Sequence, residues 1–320
     1  MKVSLCLTTF NEAVSIGRLL ESLLGQTKRA DEIVIVDGGS KDKTVEIIRH
    51  FQKKDNRIRL LIQKCSRAEG RNIGVEIAKN EIIAITDAGC VAHKDWLDKI
   101  TQPFVHRQID IVAGFYKMVG EKPYQKAISV FLGKTPSQFG VNFLPSTRSI
   151  AFRKEAWEKI GGFPEKDINT AEDTDFNYKA IKMGMKYSRV KSAIVEWGMP
   201  SSIKAGLKKL HDYAEWDARY GIWWHPAQRL ASHNIRVLSI FGRYLTGLLV
   251  LYLTITTRLS PIWLILGIFA YSFWAFRKVY VEYGNWQVGI WGIILQYASD
   301  FAVMTGFIGG IAGRDGTHAR

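Results

Sequence analysis

At 320 residues the chain can hold one large α/β domain plus a smaller appendage, and its hydrophobic residues, 47% of the total, crowd into the last third. A net charge of +14 suits a polyanionic partner, whether nucleic acid, anionic lipid or a phosphate-bearing substrate, without choosing among them. The cysteines Cys6, Cys65 and Cys90, odd in number and without C-x-x-C spacing, exclude a disulfide framework or zinc knuckle and fit a reducing compartment.

Val3–Leu7 is a short apolar run that soon meets Thr8, Thr9, Asn11 and Glu12, so it is no signal peptide, and membrane attachment is expected from the C-terminal end. A helix pattern follows, with Ile16, Leu19, Leu20, Leu23 and Leu24 on one face. Glu32–Asp37 reads as a buried strand ending on a carboxylate. Ser40 or Asp42 is placed to cap a helix that turns Val45, Ile48 and Phe51 inward. Ile58–Ile62 is a further strand, and a helix from about Ala68 to Lys79 leads into strand Ile82–Asp87. This alternation predicts a Rossmann-like α/β fold with a mostly parallel central sheet. Asp37 and Asp87 both fall at strand C-terminal ends, where open sheets bind ligands. One such Asp often caps the next turn, but two in one half of the sheet, each before a glycine-containing turn, weigh toward a ligand site.

From Ile109 to Trp197 strands and helices mix. A strand follows the loop at Pro145, and a helix about Glu155–Ile160 stops at Gly161-Gly162. The acidic run Glu172-Asp173-Thr174-Asp175 then opens a helix over Phe176–Met183, where carboxylates complement the helix dipole. Within Ser201–Trp224, Ile203, Leu207, Leu210 and Ala214 share a face with Lys204, Lys208 and Lys209 beside it, which predicts a helix at a membrane surface.

Val237–Thr257, Ser260–Phe276 and Trp286–Gly313 are apolar apart from Arg243 and Asp300. A crossing needs about 20 residues, so the second is short. Trp263, Trp274, Trp286 and Trp291 lie at or near segment ends, as in an aromatic belt. Dense Lys and Arg from Lys186 to Arg236, and again at Arg277 and Lys278, predict a multi-pass protein of the cell membrane with its large domain cytoplasmic. The side of the C-terminus stays open between three full crossings and a re-entrant last segment. The expected division is a catalytic domain over 1–200, amphipathic juxtamembrane helices over 201–236 and an all-α membrane region over 237–313.

Five stretches then carry a resemblance. Thr8-Thr9-Phe10-Asn11-Glu12, Asp37-Gly-Gly-Ser-Lys-Asp42, Gly70-Arg71-Asn72-Ile-Gly74, Asp87-Ala-Gly89 and Glu172-Asp173 resemble, in order and spacing, the motifs of family 2 glycosyltransferases with a GT-A fold. The resemblance implies an inverting enzyme that moves one sugar from a nucleotide-sugar donor to an acceptor. Thr9, Phe10, Glu12 and Asp37 would hold the nucleotide, and Arg71 would lie near the diphosphate. Asp87 would reach the ribose or a divalent cation, Mg2+ or Mn2+. Asp173 would be the catalytic base, supported by Glu172. Arg148 and Ser149 are expected at the diphosphate or acceptor.

Gly89 departs from the family pattern, standing where a second Asp often binds the metal, so the second ligand is open. Asp212 and Glu215 before Trp216 replace the Gln and Arg of processive synthases, which favours transfer of a single sugar. His211 and His225, where some family members place an acceptor-side or metal-binding loop, read more simply as structural. The anchor beside the site points to a lipid or lipid-linked acceptor and a membrane partner. No nucleic-acid partner is expected, because the basic residues cluster near the spans without an aromatic-lined patch. The alternatives are a nucleotide-sugar-binding membrane scaffold or sensor without turnover, and a sugar nucleotidyltransferase.

Overall fold

The structure, a computed structural model, describes residues 1–165, 172–221, 223, 233–257 and 259–313. It forms two compact units, Met1–Lys117 with Gln138–Gly198, and Met118–Ser137 with Met199–Arg320.

In the first unit, β1 (Val3–Thr9), β2 (Glu32–Asp37), β3 (Ile58–Ile62) and β4 (Ile82–Ile85) pair in parallel in the order β3-β2-β1-β4. Helices α1 (Ile16–Leu24), α2 (Thr44–Lys54) and α3 (Arg67–Ile77) make the crossovers. The periodicities work as their spacing demands. Helix α1 buries Ile16, Leu19, Leu20 and Leu23, and every residue of β2 is buried, Asp37 included.

Beyond β4 the sheet reverses. The strands β7 (Ile150–Arg153), β6 (Ile111–Val119), β8 (Tyr187–Gly198) and β5 (Cys90–Ala92) complete an eight-stranded sheet in that order, with β4–β7, β6–β7 and β5–β8 antiparallel. The sheet is therefore mixed, and its parallel half is the part where one helix joins each strand to the next. Helix α4 (Trp96–Thr101) follows β5, while α6 (Lys154–Ile160) and α7 (Glu172–Lys182) lie between β7 and β8. Phe152, Phe163 and Phe176 pack in one aromatic cluster, with Phe163 and Phe176 stacked at 4.6 Å. This cluster pins α7, which starts a turn earlier than its apolar periodicity suggests, so Glu172 and Asp173 lie in its first turn.

The second unit is helical: α5 (Pro123–Leu132), α8 (Ile203–Tyr220), α9 (His233–Thr256), α10 (Ile262–Tyr283) and α11 (Trp286–Ala312). Three of these, α9 to α11, are long and apolar enough to cross a membrane. Helix α10 continues beyond the apolar run that ends at Phe276. It runs to Tyr283, where Gly284 at φ 60 ends it, and carries Lys278 with its ammonium 3.9 Å from the centre of the Phe131 ring. Helix α8 buries Gly206, Leu210, Ala214 and Ala218, and α11 lies against it. A Cβ on Gly306 would come 2.2 Å from the His211 carbonyl oxygen, and one on Gly310 2.1 Å from that of Glu215. The stripe expected on a membrane surface is thus covered, in part, by another helix through glycines that let backbones touch.

Candidate active site

Register sets Thr9 beside Asp37 across β1 and β2, with β4 on the other side of β1, so the C-terminal ends of three strands form one crest. The two loops leaving β1 and β2 are laced together there. Asp37 Oδ1 accepts from the backbone N–H groups of Gly39 at 3.0 Å and Ser40 at 2.8 Å. Its Oδ2 accepts from Thr9 Oγ1 at 2.9 Å and Ser40 Oγ at 2.6 Å. The chain itself thereby fills the roughly four acceptor positions of this carboxylate. Asn11 returns the lacing: its N–H donates to Ser40 Oγ at 2.8 Å, and its Oδ1 accepts from the Lys41 N–H at 2.9 Å. It does so at φ 54, a left-handed conformation that Asn tolerates better than most residues. Phe10 is left 58% exposed, and the half-buried Glu12 carboxylate accepts from Ser15 Oγ.

Helix α3 opens with a reciprocal cap between Ser66 and Glu69 and lies hard against β1. A Cβ on Gly70 would come 2.7 Å from Thr8 Cγ2, so glycine is what permits this approach. That approach buries Arg71, which donates from Nη1 to Glu172 Oε1 at 2.6 Å and from Nη2 to Asp87 Oδ1 at 2.8 Å. Arg71 Nε and Glu172 Oε2 are buried without a hydrogen-bond partner among the described residues. The neighbouring Asn72 acts as a latch. Its Nδ2 donates to the Phe163 carbonyl at 2.8 Å and to Glu165 Oε1 at 2.7 Å, while its Oδ1 accepts from the Phe163 N–H at 2.8 Å. Gly162, at φ 74, passes so close that a Cβ would lie 2.9 Å from Asn72 Oδ1.

Opposite charges now converge. The Arg148 guanidinium stacks on Trp197, its carbon 3.8 Å from the ring centre, with Tyr116 at 5.2 Å. Burial would raise the Asp87 carboxyl, but Arg71, Arg148 and Arg67 outweigh it and hold it below the usual range. Asp173 goes the other way. Burial first, then the adjacent Glu172, push its carboxyl up to about 6 against the pull of Arg148 and Arg71. Two carboxylates whose environments drive them apart are the pattern of a site that both holds charge and moves a proton.

The structure thus gathers Asp87, Glu172, Asp173, Arg71 and Arg148 into one charged cluster, and sets Thr9, Phe10, Glu12 and Asp37 in the adjoining laced loops. It changes two expectations. Arg71 is only 2% exposed and committed to two carboxylates, so it organises the site instead of presenting a free fork to a diphosphate. Ser149 is a core residue, accepting from Trp96 Nε1 at 2.9 Å and donating to the Ala193 carbonyl at 3.2 Å. Asn72, Arg67 and Trp197 were not singled out from sequence. Asn72 stood in a quoted motif and could have been, whereas nothing local marks Trp197 as a shelf for Arg148.

A divalent cation suits Asp87 by its chemistry. It is an ionised, hard oxygen donor, 27% exposed at its side chain, with open space around Gly89 for phosphate oxygens or water. Elsewhere, His211, Asp212 and Glu215 on α8 bring three possible ligand atoms within 4.8 Å of one another. Asp212 and Glu215 are already paired to Lys208 and Arg219, at 2.6 and 2.8 Å. Trp216 lies on the same helix, and His225 lies outside the described residues.

The family model described as "Glycosyl transferase family 2" matches residues 4–165, half of the chain and most of the crest. The uncharacterized glycosyltransferase EpsJ of Bacillus subtilis is 29% identical over 192 residues, 56% of either chain. The dolichyl N-acetyl-alpha-D-glucosaminyl phosphate 3-beta-D-2,3-diacetamido-2,3-dideoxy-beta-D-glucuronosyltransferase of Methanococcus voltae is 25% identical over 228 residues, 66% of this chain and 71% of that one. The chain spans about half the length of the curated relatives it matches. The solved mannosyltransferase PcManGT from Pyrobaculum calidifontis, in complex with GDP-Man and Mn2+, superposes with a TM-score of 0.65 at 19% identity, over 92% of this chain and 86% of that one. At that identity the likeness speaks to fold: a GT-A-type α/β domain followed by apolar helices.

Proposed function

The chain belongs to glycosyl transferase family 2, and from that premise we propose that it moves one sugar, with inversion, from a nucleotide-sugar to a hydroxyl of a lipid-linked acceptor. The observation that carries the reading is the convergence of Asp87, Asp173, Arg71 and Arg148 at the C-terminal crest of the parallel strands.

Each residue has a distinct task. Phe10 offers its exposed ring to the base, and Glu12 turns a carboxylate oxygen to a base or ribose donor. Thr9 and Asp37 hold the loop that receives the nucleotide, and Arg71 fixes Asp87 and Glu172. Arg148, presented flat on Trp197, neutralises the diphosphate. Asp173 accepts the proton of the acceptor hydroxyl as its oxygen attacks the anomeric carbon, from the face opposite the diphosphate. The new C–O bond forms as the bond to the nucleoside diphosphate breaks, and the diphosphate leaves with the bonding electrons. A divalent cation at Asp87 would add charge stabilisation to the departing diphosphate.

The chain divides in this reading into a catalytic domain over 1–200, a juxtamembrane segment over 201–236 and membrane-crossing helices over 237–313. The basic stretch from Lys186 to Arg236 favours a cytoplasmic catalytic domain in the cell membrane. The Methanococcus relative, named for a dolichyl-phosphate-linked sugar acceptor, supports a lipid acceptor here.

A screen of nucleotide-sugars with membrane lipid extract tests the reading, with and without Mg2+ or Mn2+. The expected products are free nucleoside diphosphate and a glycosylated lipid. Pyrophosphate would mean nucleotidyl transfer. Donor binding without turnover would mean a sensor, and equal rates on water-soluble acceptors would remove the lipid assignment.

A further inference from the structure

Two cations of the second unit lie on the long apolar helices α9 and α10. Arg243 on α9 and Lys278 on α10 share one aromatic ring, with the Arg243 guanidinium carbon 5.8 Å and Lys278 Nζ 5.5 Å from the centre of Trp274. Both also lean toward α11. Arg243 Nη2 lies 3.6 Å from Asp300 Oδ1, and Lys278 Nζ donates to Gln296 Oε1 at 3.3 Å.

Asp300 does not account for both. It is buried, and neutral donors occupy it: the hydroxyls of Tyr244 and Tyr271 on Oδ2, and Gln296 Nε2 on Oδ1 at 2.8 Å. Among the described residues neither cation comes closer than 3.6 Å to a carboxylate, and Lys278 reaches only a neutral amide. Arg236 lies two turns before Arg243 on α9 and adds a further positive charge to that helix. The other carboxylate nearby, Glu282, accepts from Thr135 Oγ1 at 2.8 Å and Ser137 Oγ at 2.5 Å. Positive charge in excess of its counterions, on helices made for hydrocarbon, is costly unless an anion shares the site.

We propose that Arg243 and Lys278, with Arg236 two turns before Arg243, bind the phosphate of a membrane lipid, which on the reading above is the phosphate joining the acceptor's sugar to its hydrocarbon anchor. A lipid fits better than a soluble phosphate because Leu245, Leu248, Ile265 and Phe269, exposed on the same two helices, offer its chain an apolar surface. Arg243 and Lys278 reach the phosphate from two helices, with Trp274 between them.

Full-length protein in a phosphate-free maltoside detergent would be titrated with a long-chain polyprenyl phosphate, the polyprenol of the same length, and inorganic phosphate. The emission of tryptophan, Trp274 included, reports binding. Polyprenyl phosphate is expected to bind, about tenfold or more tightly than the other two ligands. Arg243→Gln and Lys278→Gln should each weaken it about tenfold, the usual cost of one charge-assisted contact. Arg243→Lys and Lys278→Arg should retain most of it, and Asp300→Asn, which removes the competing carboxylate, should not weaken it. Equal affinity for the polyprenol, equal affinity for inorganic phosphate, or unchanged affinity in both glutamine variants would each overturn the proposal. Binding of the nucleotide-sugar, measured on the same samples, should be unchanged in every variant. A protein that binds polyprenyl phosphate as described but turns over no nucleotide-sugar would count against the transferase reading alone.

Discussion

At the scale of single residues, Asp173 and Gly89 separate the chemistry from the scaffold. The base proposed at Asp173 must be ionised to act, so with its carboxyl raised to about 6, turnover should fall about tenfold per pH unit below that point and level off above it. Asp173→Asn should lower kcat by about 10²–10⁴ and leave donor affinity unchanged. The same shift fixes a stability effect and its sign. The folded chain binds this proton more tightly than the unfolded chain, whose carboxyl titrates near ~4. The ionised residue therefore costs stability above about 6 and nothing below ~4. Asp173→Asn should raise Tm at pH 7 and leave it unchanged at pH 4, which a pair of thermal melts would check. An equal change at both pH values would mean that the residue is an ordinary helix-start carboxylate. At Gly89, a Cβ would meet nothing within 4 Å, so glycine there is not imposed by packing. Gly89→Asp should fold normally and lower the Mn2+ concentration needed for half-maximal turnover. If the requirement for Mn2+ did not change, cation binding at the Asp87 turn would lose its support.

At the scale of elements, the sequence disclosed what repeats locally and hid what depends on distant partners. The parallel half of the sheet was legible because β1 to β4 alternate with amphipathic helices whose periodicity is strong. The antiparallel half was not, since β7 inserts between β4 and β6 and no pattern within Ile150–Arg153 announces its neighbours. The motif Gly70-Arg71-Asn72 shows the same division: its position was readable, but the approach to β1, the bridge to Glu172 and the latch on Phe163 exist only in three dimensions. Gly70→Ala should destabilise the first unit by about 1–3 kcal/mol, the usual cost of overpacking. Adding Thr8→Ser, which deletes the methyl that the new Cβ would strike at 2.7 Å, should recover much of that loss. Denaturant titrations of the two single variants and the double variant would measure it. Strict additivity would mean the glycine serves some purpose other than clearance.

At the scale of the whole chain, composition divides the protein near residue 200, and the structure adds a detour that composition does not show. The path leaves the first unit after Lys117, contributes Met118–Ser137 to the second, and returns at Gln138. Helix α5 within that detour is amphipathic enough to pass for part of a soluble domain, yet its partners are α8, α10 and α11. A Cβ on Gly206 of α8 would lie 2.2 Å from Ile128 Cδ1, and Tyr283 of α10 shares a hydrogen bond of 2.7 Å with Ser129. A chain cut after Gly198 would keep α5, with its apolar residues Ala127, Ile128 and Leu132, and lose α8, α10 and α11, against which α5 packs. Such a fragment should stay with detergent or aggregate, because a partnerless apolar helix face seeks a surface. Replacing residues 118–137 by a short Gly/Ser linker in the same fragment should give a soluble monomer that still binds nucleotide-sugar, since Asp37, Asp87, Arg148 and Asp173 all remain. Sedimentation and donor titration of the two fragments would decide the matter. If the fragment that keeps α5 were the soluble one, the detour would belong to the catalytic unit after all.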